Sequence, residues 1–291
     1  MHLLLFGATG RTGQVLHRMA EAAGWNVYAP SHEDCNVEDS RAVAQAVLQS
    51  GAHAVVNCAA ISGLEACADN PLRAHLVNAV APATMALACR HTGARFVHLS
   101  TDYVLAGHKA GAKTESAKCK PISIYGESKR EGELQVAEAL PSALILRVSW
   151  ICGNPARPSF VESIIHKARA AEPLSAIADK FSMPTDAEDI ARVILSLLPT
   201  RESGIFHVCS TGEPVSWHTC AQWALQAAAE AGLLTGLPPL TPLRLKDATF
   251  FREPRPQHTA MEPSRLLTLG IRMPSAHQTI TRAILKSAVS V

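Results

Sequence analysis

Tyr125 and Lys129 stand four residues apart, and on a helix that spacing puts a phenol and an ammonium on one face. Reduction of a ketone takes a hydride from one side and a proton from a group held beside the oxygen. A free tyrosine has a pKa of about 10, too high to exchange protons readily at neutral pH. A nearby ammonium favours the phenolate and lowers that value, so Lys129 is expected to make Tyr125 more acidic and to bond a nicotinamide ribose. Thr101, within Ser100-Thr101-Asp102-Tyr103, is expected at a strand end, where its hydroxyl polarises a carbonyl oxygen.

A Tyr-x-x-x-Lys pair alone is an ordinary exposed helix face. It gains meaning from Gly7-Ala8-Thr9-Gly10-Arg11-Thr12-Gly13, which follows a short apolar run and opens a helical one. Gly7 permits a tight turn, Gly10 lets the backbone approach a pyrophosphate, and Gly13 permits close helix–strand packing. The helix N-terminus then faces the negative charge. The pyrophosphate is expected on Gly10 to Thr12.

Cofactor choice turns on the second strand. An NAD site usually carries a carboxylate at its end, but here Trp25-Asn26-Val27-Tyr28-Ala29 leads into Pro30-Ser31-His32 before Glu33 and Asp34. With Arg11 placed to reach a 2′-phosphate, NADPH is favoured over NADH. Asp34 with Val37 is expected to close over the adenine ring, with Asn36 between them also counted as cofactor-binding.

These groups need a scaffold, and the first two hundred residues alternate short aliphatic runs with helical patterns. Strands are expected at Leu3–Phe6, Trp25–Ala29, Ala54–Cys58, Phe96–Leu99 and Ala143–Val148. Helices are expected at Gly13–Ala23, Ser40–Gln49 and Tyr125–Ala139, with a long helix inside Pro71–His91. Such alternation predicts an α/β fold, a Rossmann-type doubly wound parallel sheet with ligands at the strands' carboxyl ends. After Ile151 the rhythm breaks into helices at Ser159–Ala171, Thr185–Leu198 and Ser216–Ala231, strands at Leu174–Ala178 and Ile205–Cys209, and a proline-rich stretch at Gly236–Pro256. The expected division is a dinucleotide-binding core of residues 1–150, to which 179–200 return. Residues 151–178 and 201–291 then form a smaller C-terminal substrate-binding lobe.

The bulk composition excludes several classes. With 291 residues, 47% hydrophobic and 18% charged, the chain is an ordinary globular protein. A net charge of +2 without a basic run argues against a nucleic-acid partner, and no apolar stretch approaches the roughly 20 residues that span a bilayer. Eight irregularly spaced cysteines without a Cys-x-x-Cys pair and the lack of a signal peptide predict reduced thiols and a cytoplasmic protein. Thirteen dispersed histidines show no ligand spacing, so no metal is expected.

The motifs carry a resemblance that runs almost end to end. Asn57-Cys58-Ala59-Ala60, Asn78, Ser100-Thr101-Asp102-Tyr103-Val104 and Tyr125-Gly126-Glu127-Ser128-Lys129 belong to it. So do Leu146-Arg147-Val148-Ser149-Trp150, Asp179 to Thr185, Ser216-Trp217-His218 and Arg255-Pro256. The chain resembles the extended short-chain dehydrogenases/reductases and, among them, the dTDP-4-dehydrorhamnose reductases. The resemblance implies NAD(P)H-dependent reduction of the 4-keto group of a nucleotide-linked deoxysugar, with Thr101, Tyr125 and Lys129 catalytic. It implies a cofactor site of Gly7, Thr9, Gly10, Arg11, Thr12, Gly13, Asp34, Asn36, Val37, Cys58, Ala59, Ala60, Asn78, Ser100, Tyr125, Lys129 and Val148. Asp102, Tyr103, Trp150 and Arg255 are implied to shape the nucleotide-sugar pocket, and a homodimer is the assembly considered. Departures at Ile61 to Cys67, Cys152 and His258-Thr259 bear on the sugar more than on the chemistry.

Neighbouring activities stay in view. A dehydratase usually carries Asp-Glu after the threonine, whereas Tyr103 follows Asp102 here. An epimerase reuses the same trio. Non-catalytic regulatory relatives, such as the methionine adenosyltransferase beta subunit, keep the nucleotide fold.

Overall fold

The structure, a computed structural model, describes residues 1–289. Strands β1 (His2–Phe6), β2 (Asn26–Tyr28), β3 (Ala54–Asn57), β4 (Arg95–Thr101) and β5 (Leu144–Val148) come first. Short strands β6 (Ile151–Cys152), β7 (Leu174–Ile177), β8 (Phe181–Ser182) and β9 (Thr185–Asp186) follow, then β10 (Gly204–Val208), β11 (Val215–Ser216) and β12 (Leu240–Leu243). The helices are α1 (Arg11–Ala22), α2 (Ser40–Gln49), α3 (Leu64–Asp69), α4 (Pro71–His75), α5 (Ala81–Thr92), α6 (Ile124–Ala139), α7 (Phe160–Arg169), α8 (Ala187–Leu197), α9 (Trp217–Glu230), α10 (Ser264–Thr268) and α11 (Ala276–Val289).

Six strands form one parallel sheet in the order β10-β5-β4-β3-β1-β2. The chain winds outward in both directions from β1 and β3, as a doubly wound sheet must, and leaves a crevice at their carboxyl ends. Side chains alternate along a strand, so β1 feeds two apolar layers. Leu3 and Leu5 pack with Val15, Leu16 and Ala20 of α1 and with Ile190, Val193, Ile194 and Leu197 of α8. Leu4 and Phe6 pack on the other face with Val43 and Val47 of α2, Met85 and Cys89 of α5, and Val136 of α6. A third cluster joins Ile164 and Ile165 of α7, Cys220, Ala221 and Ala224 of α9, and Ile280 and Ile284 of α11.

Two expectations need correction. Residues 204–208, assigned to the lobe from sequence, pair in register with β5 (Ile205 with Ile145, Val208 with Val148) and complete the main sheet. Their apolar run lies largely between two covered faces, which suits a parallel sheet, and α8 supplies the connection back to it. The helix expected within Pro71–His91 is three pieces, because a π-helical turn at Leu76–Val80 separates α4 from α5. Such turns concentrate at functional sites, and this one carries Asn78. All eight cysteines are free.

Candidate functional site

Gly7 ends β1 with a φ of +76°, a conformation that disfavours side chains, and a Cβ there would sit 2.4 Å from Ala59 N. At Gly13 a Cβ would meet Gly7 O at 2.1 Å, so α1 can press against the loop only because that atom is absent. Gly10 caps α1 without a side-chain hydrogen bond, which leaves the first N–H groups of the helix to an anion. Thr9 is exposed and Thr12 buried beside them.

Arg11 does not stand free at the adenosine end as expected. Its Nε donates to Arg157 O at 2.8 Å and its Nη2 to Pro158 O at 2.9 Å, because the turn before α7 presents two carbonyls to a half-buried cation. Asp34 accepts from the Ser31 amide at 2.9 Å and hydroxyl at 2.7 Å, and these bonds hold its carboxyl below the usual range. Asn36 accepts from Glu38 N at 3.0 Å, while Val37 packs against the apolar layer under α2.

Cys58, Ala59 and Ala60 follow β3, with Cys58 N donating to Phe6 O at 2.9 Å. Asn78 is fully buried; its amide accepts from Ile61 N at 3.0 Å and donates to Ile61 O and Ser128 Oγ. That side chain therefore fixes the loop after Ala60 to α6. Ser100 Oγ donates at 2.6 Å to Glu133, a carboxylate also held by Arg130 and by two nitrogens of buried Arg147.

Thr101, Tyr125, Asp102, Tyr103, Val148, Trp150, Arg255 and Arg11 line one cleft of about 760 Å³. Thr101 closes β4, and Tyr125 rises from the first turn of α6, which Ser123 caps through Gly126 N. The Tyr103 and Tyr125 rings meet edge to face, centroids 5.7 Å apart. Lys129 lies behind this wall, buried, with Nζ donating to Leu99 O at 2.6 Å and lying 3.2 Å from His98 Nε2.

The electrostatics differ from expectation. Burial raises the pKa of Tyr125, a hydrogen bond to Thr101 opposes the rise, and Lys129 contributes nothing resolved because its Nζ turns toward β4. Burial lowers Lys129 itself to about 8, with Glu133 pulling the other way. Asp102 is raised, chiefly by burial, although Lys180 nearby and the Ser149 hydroxyl at 3.0 Å favour its ionised form.

Beside the expected Trp150, the cleft also holds residues that were not in the expected set. Trp150, Phe160 and Trp217 stack with centroids 5.3 to 5.7 Å apart, and Phe251 closes on Trp217 edge-on at 6.3 Å. Trp217 was legible within Ser216-Trp217-His218, and Phe250-Phe251 as paired aromatics in a proline-rich stretch. Glu65, inside the departing segment Ile61 to Cys67, pairs with Arg255 at 3.0 Å, a partner that sequence alone did not assign. Lys180 is buried under the wall: its Nζ donates to Pro256 O at 2.8 Å and sits 5.1 Å over the Tyr103 ring. Trp150 holds a φ of +40°, rare for a bulky residue, which turns the chain out of β5 and aims the ring into the cleft.

Comparison with known proteins gives a consistent result. The profile of the family described as "RmlD substrate binding domain" matches residues 1–289. The spore coat polysaccharide biosynthesis protein SpsK of Bacillus subtilis is 30% identical over 270 residues, 93% of this chain and 92% of that protein. The dTDP-4-dehydrorhamnose reductase of Salmonella typhimurium is 30% identical over 81% of each chain. Among solved structures, a dTDP-4-dehydrorhamnose reductase from Clostridium acetobutylicum superposes over 100% of both chains with a TM-score of 0.90 at 27% identity. The Bacillus anthracis enzyme of that name, in complex with NADP, gives 0.90 at 26% identity over 98% of this chain and 99% of that one.

Proposed function

The chain belongs to the RmlD substrate-binding-domain family, and from that premise we propose that it reduces the 4-keto group of a nucleotide-linked deoxysugar. The substrate we favour is dTDP-4-dehydro-L-rhamnose or a close analogue, and NADPH is the preferred reductant. One observation supports this above the others: the Thr101 hydroxyl and the Tyr125 phenol share one cleft wall at a strand end, close to the glycine loop.

The residues present fit a nicotinamide dinucleotide, since Gly7 and Gly13 allow a tight loop that a Cβ at either would clash with, and α1 offers uncapped N–H groups. Gly10 to Thr12 would face the pyrophosphate, with Cys58 to Ala60 and Ser100 along the strand ends. Bound there, the reduced cofactor supplies the hydride. The preference for NADPH draws on Asp34, whose carboxylate is engaged by Ser31 rather than free for a ribose diol, and on the NADP complex of the Bacillus anthracis relative.

Thr101 and Tyr125 hold the keto oxygen between two hydroxyls, and the Tyr125 hydroxyl delivers the proton. Its raised pKa keeps it protonated at neutral pH, so it acts as the acid in the ground state. Trp150, Trp217 and Phe251 pack against the nucleotide, and Arg255 meets the diphosphate. The low dielectric of this buried wall strengthens each of these contacts.

No helix among the described residues is long and apolar enough to cross a membrane; the reading places the enzyme in the cytoplasm, working on a small molecule, as a monomer or homodimer. NADPH oxidation with dTDP-4-keto-6-deoxy-mannose made in situ tests it. Turnover that vanishes in Tyr125→Phe is the expected result. Intact nucleotide binding without turnover on this or related keto sugars would overturn it in favour of a regulatory role.

A further inference from the structure

Asn57 on β3 and His98 on β4 are register partners in the parallel sheet, both fully buried, with Lys129 of α6 reaching them from one side. Their hydrogen bonds can be followed proton by proton. Asn57 Oδ1 accepts from the Ala59 amide at 3.0 Å, which decides the orientation of the side-chain amide. Its NH2 end is then 3.2 Å from His98 Nδ1. An NH2 group has only hydrogens to offer, so Nδ1 must accept.

A neutral imidazole carries one N–H, and here it falls to Nε2. That nitrogen faces Lys129 Nζ at 3.2 Å. An ammonium has three donors and no lone pair, so it would meet the imidazole donor to donor. A neutral amine would instead accept from Nε2–H while still donating to Leu99 O at 2.6 Å. We propose that Asn57 and His98 form a relay that fixes the imidazole proton on Nε2 and aims it at Lys129 Nζ, which shifts the lysine's balance toward a neutral, proton-accepting amine. His98 is thus a positioning residue for Lys129, and Asn57 sets its tautomer.

The surroundings agree. Glu133, one turn further along α6, is the charge that favours the ammonium, but its carboxylate is already shared among Ser100, Arg130 and Arg147. Cys58 beyond β3 and Cys67 of α3 also face the lysine, and burial pushes both thiols up, to about 12 and about 11, so neither is an anion at neutral pH. Burial and Lys129 push the imidazole of His98 well below its usual range, which keeps it neutral and leaves one proton to place. The value of about 8 for Lys129 follows the same direction.

The consequence for turnover rests on the proposed reductase reading: a lysine poised near neutrality can take up and return protons while Tyr125 is consumed as the acid. The test does not rest on it. Lysine labelled with 13C at Cε reports each titration by NMR in the full chain, and Lys129→Met identifies the signal. Wild-type Lys129 is expected to titrate near pH 8. Asn57→Ala frees Nδ1 to carry the proton, so that Nε2 accepts from the ammonium. His98→Gln lets an amide oxygen turn to Nζ. Each is expected to raise the Lys129 midpoint by about one unit or more. A midpoint unchanged in the variants that keep the wild-type circular dichroism overturns the proposal, and either variant alone suffices to decide. A raised midpoint that carries the alkaline limb of kcat with it supports both this relay and the reductase reading. A raised midpoint with an unmoved rate profile supports the relay and counts against Lys129 in the reaction.

Discussion

Glu65 and Arg255 form an ion pair at 3.0 Å across the cleft, and the Arg255 guanidinium lies 3.5 Å over the Phe251 ring. The pair joins α3, beside the glycine loop's neighbour strand, to the proline-rich stretch that carries Phe250 and Phe251. Arg255 is therefore preorganised by an aromatic face and held by a carboxylate, which on the proposed reading an incoming diphosphate displaces.

Competition of this kind has a kinetic signature. Glu65→Gln is expected to lower KM for the nucleotide sugar severalfold with kcat little changed, since the diphosphate no longer competes with a carboxylate. Arg255→Met is expected to raise KM by about tenfold to a hundredfold, the range for a charge-assisted hydrogen bond. Steady-state kinetics on both variants checks this; a rise in KM in Glu65→Gln would show that the carboxylate itself contacts substrate.

Tyr125→Phe keeps the ring and its edge contact with Tyr103 while removing the proton. We expect kcat to fall by about 10²–10⁴, with NADPH affinity within about twofold of wild type by calorimetry. A loss confined to KM would assign the hydroxyl to binding.

The Glu133–Arg147 pair predicts an acid-sensitive fold. Both side chains are buried, and although burial acts to raise the Glu133 pKa, bonds from Arg147, Ser100 and Arg130 hold it below the ordinary 4.5. A depressed folded-state pKa means that the stabilisation is present above the unfolded value and is lost as pH falls through the folded one. Stability should therefore decline as pH drops below about 4.5. Glu133→Gln leaves Arg147 buried without its counter-charge and should cost about 3–5 kcal/mol at pH 7, with a flatter acid limb, measured by urea unfolding across pH.

Gly13→Ala places a Cβ 2.1 Å from Gly7 O. The loop must shift, and NADPH affinity is expected to fall by more than tenfold while the far-ultraviolet circular dichroism stays near that of wild type. Affinity unchanged by calorimetry would remove the glycine loop from the cofactor site.

Much of this was legible in the chain. Strands β1, β3, β4 and β5 are apolar runs bounded by turn residues, and the glycine spacing and the Tyr125–Lys129 interval marked the ends that matter. Sequence period could not reveal the π-helical turn at Leu76–Val80, since one extra residue in a turn barely disturbs an apolar helix pattern. Residues 204–208 read as a strand, but which sheet they join depends on where α8 returns the chain. The sign of the Tyr125 shift was misjudged for a related reason: the four-residue interval puts Lys129 on the same face, yet its Nζ turns away to Leu99 O, 30 residues earlier in the chain, beside His98. Glu65 and Lys180 lay within segments that the motifs flagged, but their roles were not legible, because their partners, Arg255 and Pro256, lie far along the chain and only tertiary packing brings them together.

Arg11 gives the glycine loop a second attachment. By donating to the carbonyls of residues 157 and 158, and by accepting at its own carbonyl from Asn154 at 2.8 Å, it couples that loop to the segment that leads into Phe160 and the aromatic wall. On the proposed reading, a cofactor held by the loop is expected to stiffen that wall before the sugar nucleotide arrives. The two occupancies are then not independent events: product-inhibition patterns should follow a compulsory order, nucleotide cofactor on first and off last, and Arg11→Ala should turn that order random.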